Sequence, residues 1–306
     1  MRLYVGLTDY DWYRFLASRD GLDEVNFWQP SGQFQFKALS PGEPFLFKLH
    51  SPRNFIVGGG LFAHWSPLPL EMAWEVFGER NGATTFEEMK ARLFRYRTGP
   101  PDREIGCILL EQPFFLAERD WIPAPRDWKA PTQRGKGYDA TTGEGRRLWE
   151  QVVPWLGSGL AGPTPFEPLT VGETRSKRPV LVYPRLGQGT FRVLVTDIYA
   201  RRCVVTGERT LPVLQAAHIK PVAAGGPHDP RNGLLLRSDL HTLFDRGYIT
   251  VTPDLKLKVG DRIREKFENG RDYYALDRRQ ISIPRNPACA PLRDYLDWHA
   301  SQVFRG

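Results

Sequence analysis

The sequence predicts an α+β protein in two parts, on three observations. Strand-like runs and helical patterns alternate over residues 1–156, a Gly/Pro-dense stretch at 157–189 lacks helical periodicity, and a strand, a long loop and a helix follow in that order. A chain of 306 residues also favours two domains over one. Hydrophobic residues at 41% and charged residues at 25% exclude disorder as the main state. No apolar run approaches the roughly 18 residues of a membrane span. The start, MRLYVGLTDYDWYR, carries acids where a signal peptide has its apolar core, so a cytoplasmic protein without membrane contact is expected. Cys107, Cys203 and Cys289 are far apart and form no CxxC, which argues against a structural zinc site or a disulfide framework.

In the first part, RLYVGL reads as a strand. Thr8-Asp-Tyr-Asp11 has the spacing of a capping box before the apolar helix DWYRFLA. PFLFKLH (44–50) and FIVGGGLF (55–62) read as strands joined by a turn at Ser51-Pro-Arg-Asn54. A short helix from Pro69 to Phe77 ends at Gly78. Thr85-Phe-Glu-Glu88 caps a second helix with Phe86, Met89, Leu93 and Phe94 on one face. IGCILLEQPFFL (105–116) returns to strand, and a helix near 144–156 closes a small α+β or barrel-like domain.

In the second part, FRVLVTDIYA (191–200) suits a helix and Cys203-Val-Val-Thr-Gly207 a turn. VLQAAHI (213–219) is a strand, followed by a long loop. A helix then runs from Ser238 to just before Gly247, and YITVT with LKLKV forms a hairpin. Charge separates the parts as well. From residue 171 onward there are 23 Lys/Arg against 14 Asp/Glu, and before it 19 against 21, so the net +7 resides in the C-terminal part, where it suits phosphate binding. Arg201, Arg202, Lys220, Arg237 and Arg246 are the candidate phosphate contacts; Arg175 to Arg178 are a further clamp or solvated charge.

His218 ends the strand, Asn232 lies in the loop, and His241 and Asp245 stand four residues apart on one helical face. A His and a carboxylate at that spacing can share a divalent cation, leaving positions for water and a phosphate oxygen. A neutral imidazole on the adjacent strand can deprotonate the attacking water. Gln215-Ala-Ala-His218-Ile, with Asn232-Gly-Leu-Leu-Leu-Arg-Ser-Asp-Leu-His241-Thr-Leu-Phe-Asp245-Arg-Gly, resembles the HNH nucleases of the ββα-metal fold. The likeness spans roughly 185–260 and includes Tyr199, Cys203 and Thr206-Gly207, with eight residues between Asn232 and His241. It implies His218 as general base, His241 and Asp245 as ligands of a divalent metal (Mg²⁺ first, Mn²⁺ next), and Asn232 fixing the loop or orienting the site. The resemblance departs at Ala217, where many members carry a further ligand; Gln215 or Asp239 are the oxygens that could replace it.

Gly42-Glu-Pro-Phe-Leu-Phe-Lys-Leu-His50-Ser followed by Phe55-Ile-Val-Gly-Gly-Gly-Leu-Phe62 is similar to the PUA-like superfamily, most of all to EVE and ASCH domains. That resemblance implies a β-barrel with flanking helices that reads a modified or flipped base in an aromatic pocket. Asn26 and Trp28, with Phe47, His50, His64 and Trp65, are the candidate base contacts; Trp74 and Phe77 are expected in the core and His299 at the surface.

The expected organisation is a PUA-like reader over 1–156, a linker over 157–189 and an HNH nuclease domain over 190–306. Together they imply a modification-dependent endonuclease acting on double-stranded DNA. Homodimerisation is plausible, because one such centre cuts one strand. Two alternatives are an HNH nuclease indifferent to modification, and a nucleic-acid reader whose HNH unit has decayed.

Overall fold

A mixed seven-stranded sheet organises the first of two units, 1–190 and 191–306, in a computed structural model that describes residues 1–96, 104–129, 132, 134–156 and 186–306. Residues 157–185 of the expected linker, with Arg175 and Arg178, lie outside the described residues. The strands are β1 (Arg2–Thr8), β2 (Glu24–Gln29), β3 (Pro44–Leu49), β4 (Phe55–Leu68), β5 (Ile105–Phe115), β6 (Ile122–Pro123) and β7 (Gly135–Asp139). They pair in the order β2-β5-β4-β3-β1-β7, with β6 on β4; β1 and β3 are parallel and the other pairs antiparallel. Among the described residues β2 and β7 do not pair, so the sheet is an open path where the sequence predicts a barrel.

β3 sits inside this path and is buried along its whole length, because helices cover both faces. On one face α1 (Tyr10–Ala17) packs Trp12, Tyr13 and Leu16 against Phe27, Phe45, Phe47 and Ile108. On the other, α4 (Gly143–Val152) packs Leu148 and Val152 against Leu3, Val5, Leu46 and Ile56. The first cap differs from expectation: α1 begins after Asp9, not Thr8, and takes no side-chain cap. The second forms as expected. Thr85 Oγ1 accepts from Glu88 N at 3.2 Å, and the Glu88 carboxylate accepts from Thr84 N at 2.8 Å at the start of α3 (Phe86–Phe94). Between β4 and α3, α2 (Leu70–Phe77) ends at Gly78, whose φ of 48° places it in the left-handed region.

The end of the expected linker is not a linker. Residues 186–189 dock on two carboxyls that face each other across β2 and β5, Glu24 and Glu111, both wholly buried. Glu24 accepts from Gly189 N at 2.8 Å, Thr190 N at 2.7 Å and Thr190 Oγ1 at 2.7 Å, which caps α5 (Gln188–Ile198), and it pairs with Arg80 at 3.0 Å. Glu111 accepts from Gly187 N at 2.9 Å. Burial, and then the neighbouring Glu24, push the Glu111 carboxyl up to about 8, so it is protonated at neutral pH. Only glycine fits this approach. A Cβ on Gly187 would collide with the Glu24 carboxyl carbon, and one on Gly189 would lie 2.7 Å from Glu24 Oε1.

The second unit holds β8 (Leu214–His218) antiparallel to β9 (Gly233–Arg237), followed by α6 (Ser238–Asp245). A hairpin of β10 (Ile249–Val251) and β11 (Leu257–Val259) comes next, then α7 (Arg262–Phe267), α8 (Arg271–Tyr274) and α9 (Arg293–Gln302). Phe191, Val195, Leu235, Leu240, Phe244 and Leu296 belong to its core. His299, expected at the surface, is also inside it. It stacks on Phe244 with centroids 3.6 Å apart, and its ring nitrogens meet Thr250 Oγ1 at 2.9 Å and Phe244 O at 3.2 Å. Both nitrogens are satisfied by the neutral ring, and burial holds its pKa down at about 4.

Candidate active site

Antiparallel pairing places His218 opposite Gly233, at the open end of β8. The Phe191 ring from α5 lies flat on the imidazole, centroids 4.0 Å apart and 12° between planes. His218 Nε2 meets His228 Nδ1 at 3.0 Å. Burial, then the nearby His228 and His241, lower the His218 pKa to about 4, so the ring is neutral at physiological pH.

Asn232 holds the loop that brings His228 there. Its Oδ1 accepts from Lys220 N at 2.8 Å, and its Nδ2 donates to Lys220 O at 2.9 Å and Pro227 O at 3.0 Å. The side chain is wholly buried and its bonds are spent on the loop, which makes it a positioning residue and not a contact for substrate. Gly226 completes the closure, since a Cβ there would run into the Lys220 carbonyl.

On α6, His241 Nε2 and Asp245 Oδ2 stand 3.2 Å apart, while His241 Nδ1 faces Gln215 Oε1 at 2.8 Å. The Gln215 carbonyl oxygen can only accept a hydrogen bond, so Nδ1 carries the N–H that faces it, and in the neutral ring Nε2 presents its lone pair toward Asp245. Two ligands about 2.1 Å from one hard cation and at right angles lie about 3.0 Å apart, so the pair is already spaced as adjacent ligands. A backing acceptor on the far ring nitrogen is the usual companion of a metal-binding imidazole. Among the described residues no third His, Cys, Asp or Glu converges there. Ala217 is buried in the core, and Asp239 is held by Arg237 through bonds of 2.7 and 2.8 Å. The residues present therefore fit an ion bound by two protein ligands, with water and phosphate completing its shell.

Of the expected phosphate contacts, Arg237 is engaged by Asp239 and Arg201 lies 3.5 Å from Asp197. Lys220 lies over the Trp298 ring at 5.7 Å; Arg202 and Arg246 are exposed. His228, which sequence reasoning passed over, is the residue the loop adds to the site.

The expected base contacts do not converge. Asn26 is wholly buried, donating to Asn81 Oδ1 at 2.9 Å and Cys107 Sγ at 3.3 Å, and Trp28 Nε1 donates to Asn81 O at 3.0 Å. Both hold the short turn at 78–81 onto β2. Phe47 is core, 6.0 Å from Phe27 and 5.9 Å from Phe115 in stacked geometry, because β3 has no solvent-facing side. Base reading by Asn26 or Phe47 is thereby corrected: neither has surface to offer a ligand. His50 is half exposed, 3.7 Å from Asp9. Trp65 is half buried on β4, and its Nε1 is buried without a hydrogen-bond partner. His64 also lies on β4.

A neutral histidine on a strand, beside a helix that carries a His–Asp pair, gives the second unit a strand–loop–strand–helix site with a candidate base and two candidate metal ligands. Residues 203–252, within the C-terminal unit, match the family model HNH_2, HNH endonuclease. No curated protein matches the chain. Two solved structures resemble it at low similarity. The ASCH protein from Zymomonas mobilis is 12% identical, covering 48% of this chain and 94% of that one with a TM-score of 0.33. The modification-dependent TagI restriction endonuclease is 15% identical, covering 97% of this chain and 81% of that one with a TM-score of 0.27. No helix among the described residues is long and apolar enough to cross a membrane.

Proposed function

We propose that the chain is a metal-dependent DNA endonuclease whose N-terminal unit restricts cutting to DNA with a modified base. The observation that carries the nuclease half is the pairing of a neutral His218 with the His241–Asp245 pair, 3.2 Å between donor atoms, on one ββα unit.

With His218 Nε2–H donating to His228 Nδ1, the His218 Nδ1 lone pair is available to take a proton from water. The water oxygen bonds to phosphorus, the P–O3′ bond breaks, and the departing oxygen is protonated from solvent. His241 and Asp245 would hold a divalent cation, which would supply charge stabilisation during the displacement. Gln215 fixes the His241 tautomer, and Phe191 and His228 fix the plane of the base.

The reader half rests on the resemblance to PUA-like domains. With Asn26 and Phe47 committed to the interior, Trp65 is the candidate that retains an unmet donor, and His50 the one with open surface. Two facing protomers would give a double-strand break.

The test is cleavage of matched plasmids that are unmodified or carry 5-methylcytosine, 5-hydroxymethylcytosine or N6-methyladenine. Cutting confined to one modification is expected, and Trp65→Ala should relax or abolish that choice. Equal cutting of every plasmid would remove the reader and leave the nuclease.

A further inference from the structure

We propose that a cleft at the end of α6 binds backbone phosphates of the DNA strand beside the scissile bond, through Arg246, Lys266 and Arg305. The inference rests on the nuclease reading and adds to Arg246, a phosphate contact already expected from the sequence, a cleft with two further cations, Lys266 and Arg305.

The cleft has a volume of about 470 Å³, and Asp245 forms part of its wall, so it opens directly beside the candidate metal ligands. Three cations line it, with the neutral polar groups of Tyr248 and Gln302 between them. They come from separate places in the chain: the end of α6, the end of α7, and the segment after α9. Gly247 makes that convergence possible. Its φ is 72°, a Cβ there would strike the Val303 carbonyl, and its own carbonyl accepts from Arg305 N at 3.0 Å. Tyr248 Oη lies 3.4 Å from Lys266 Nζ and anchors the ammonium at the rim.

Positive charge is in excess in this cleft. Elsewhere in the unit Arg201, Arg231, Arg237 and Arg293 each have a carboxylate partner. Among the described residues Arg246, Lys266 and Arg305 have none. Three cations against one carboxylate, in an open and largely polar cleft, suit a run of phosphodiesters better than a base or an apolar ligand. A strand lying there would pass its next phosphates to the cations while the scissile one meets His218 and the His241–Asp245 pair.

The test measures binding of a fluorescein-labelled DNA duplex in the His218→Ala background, so that nothing is cut, over a series of salt concentrations. Adding Lys266→Ala with Arg305→Ala should weaken binding roughly tenfold near 0.1 M salt. The log–log salt slope should flatten by about two, one per lost phosphate contact. The charge-matched control, Arg209→Ala with Lys256→Ala, should leave both quantities where they were. All four residues are exposed, and unchanged thermal unfolding verifies the fold. Affinity and slope equal to the control's, in a chain that still binds DNA, would overturn the cleft alone. A parent chain that neither binds nor cuts DNA with any divalent ion would overturn the nuclease reading, and the cleft with it.

Discussion

Replacing His218 with alanine is expected to slow DNA cleavage by roughly 10²–10⁴-fold, the range that a general base contributes, while DNA binding stays intact. The acid limb of the reaction should bear the same signature. A base whose pKa is held at about 4 stays deprotonated as pH falls through the ordinary imidazole range, so with saturating metal the rate should be flat well below pH 6.5. Activity is then lost as pH falls through about 4. Single-turnover rates against pH, wild type beside the variant, measure both. His228 supplies a finer discrimination. His228→Ala removes the acceptor 3.0 Å from His218 Nε2 and should lower the rate. His228→Asn places an amide oxygen where Nδ1 stood and should recover much of it. Equal loss in both would mean that the imidazole does more than select a tautomer.

Glu24→Ala is expected to destabilise the N-terminal unit by about 3 kcal/mol, because it strips a buried partner from Arg80 and leaves three donors at the start of α5 unmet. For a unit of this size that corresponds to a fall in Tm of roughly 10 °C. Glu111→Gln should do the opposite at alkaline pH. With its carboxyl raised to about 8 in the fold, Glu111 binds a proton that the unfolded chain has released, so its contribution falls as pH rises from the ordinary carboxylate range through 8. The amide carries no such dependence. Thermal unfolding of the three proteins at pH 6 and pH 8.5 checks both signs: Glu24→Ala low at each pH, and the Tm difference between Glu111→Gln and wild type moving in the variant's favour from pH 6 to pH 8.5. A Glu24→Ala Tm within a degree of wild type would contradict the assignment of Glu24 as the buried cap.

How far these features are legible in the sequence depends on whether a local pattern encodes them. His241 and Asp245 are four apart on a helix, and His218 ends a β-patterned run, so the spacing places all three on the correct elements. His228 has no such mark. It sits in Gly225-Gly226-Pro227-His228, and only loop closure by Asn232 brings it to His218. The cleft cations are scattered at 246, 266 and 305 and meet only through the fold. β2 and β9 are not expected from the sequence; in β2 polar and apolar residues alternate only from Glu24 to Phe27, and Trp28 breaks the pattern. The expectation for Asn26 and Phe47 fails for one reason: alternation shows that a strand has two faces, but not that both are covered. Glu24 and Glu111 lie far apart in sequence, and their one local trace is the glycine pair Gly187 and Gly189, which the linker reading absorbed.

The measurement that bears most directly on the nuclease site is plasmid cleavage against divalent metal concentration, for wild type and Asp245→Ala. Cutting should require Mg²⁺ or Mn²⁺ and stop on chelation, and the variant should need at least about tenfold more metal for half-maximal rate, since it loses one of only two protein ligands. Cutting that persists in chelator, or an identical metal requirement in Asp245→Ala, would contradict the site as described.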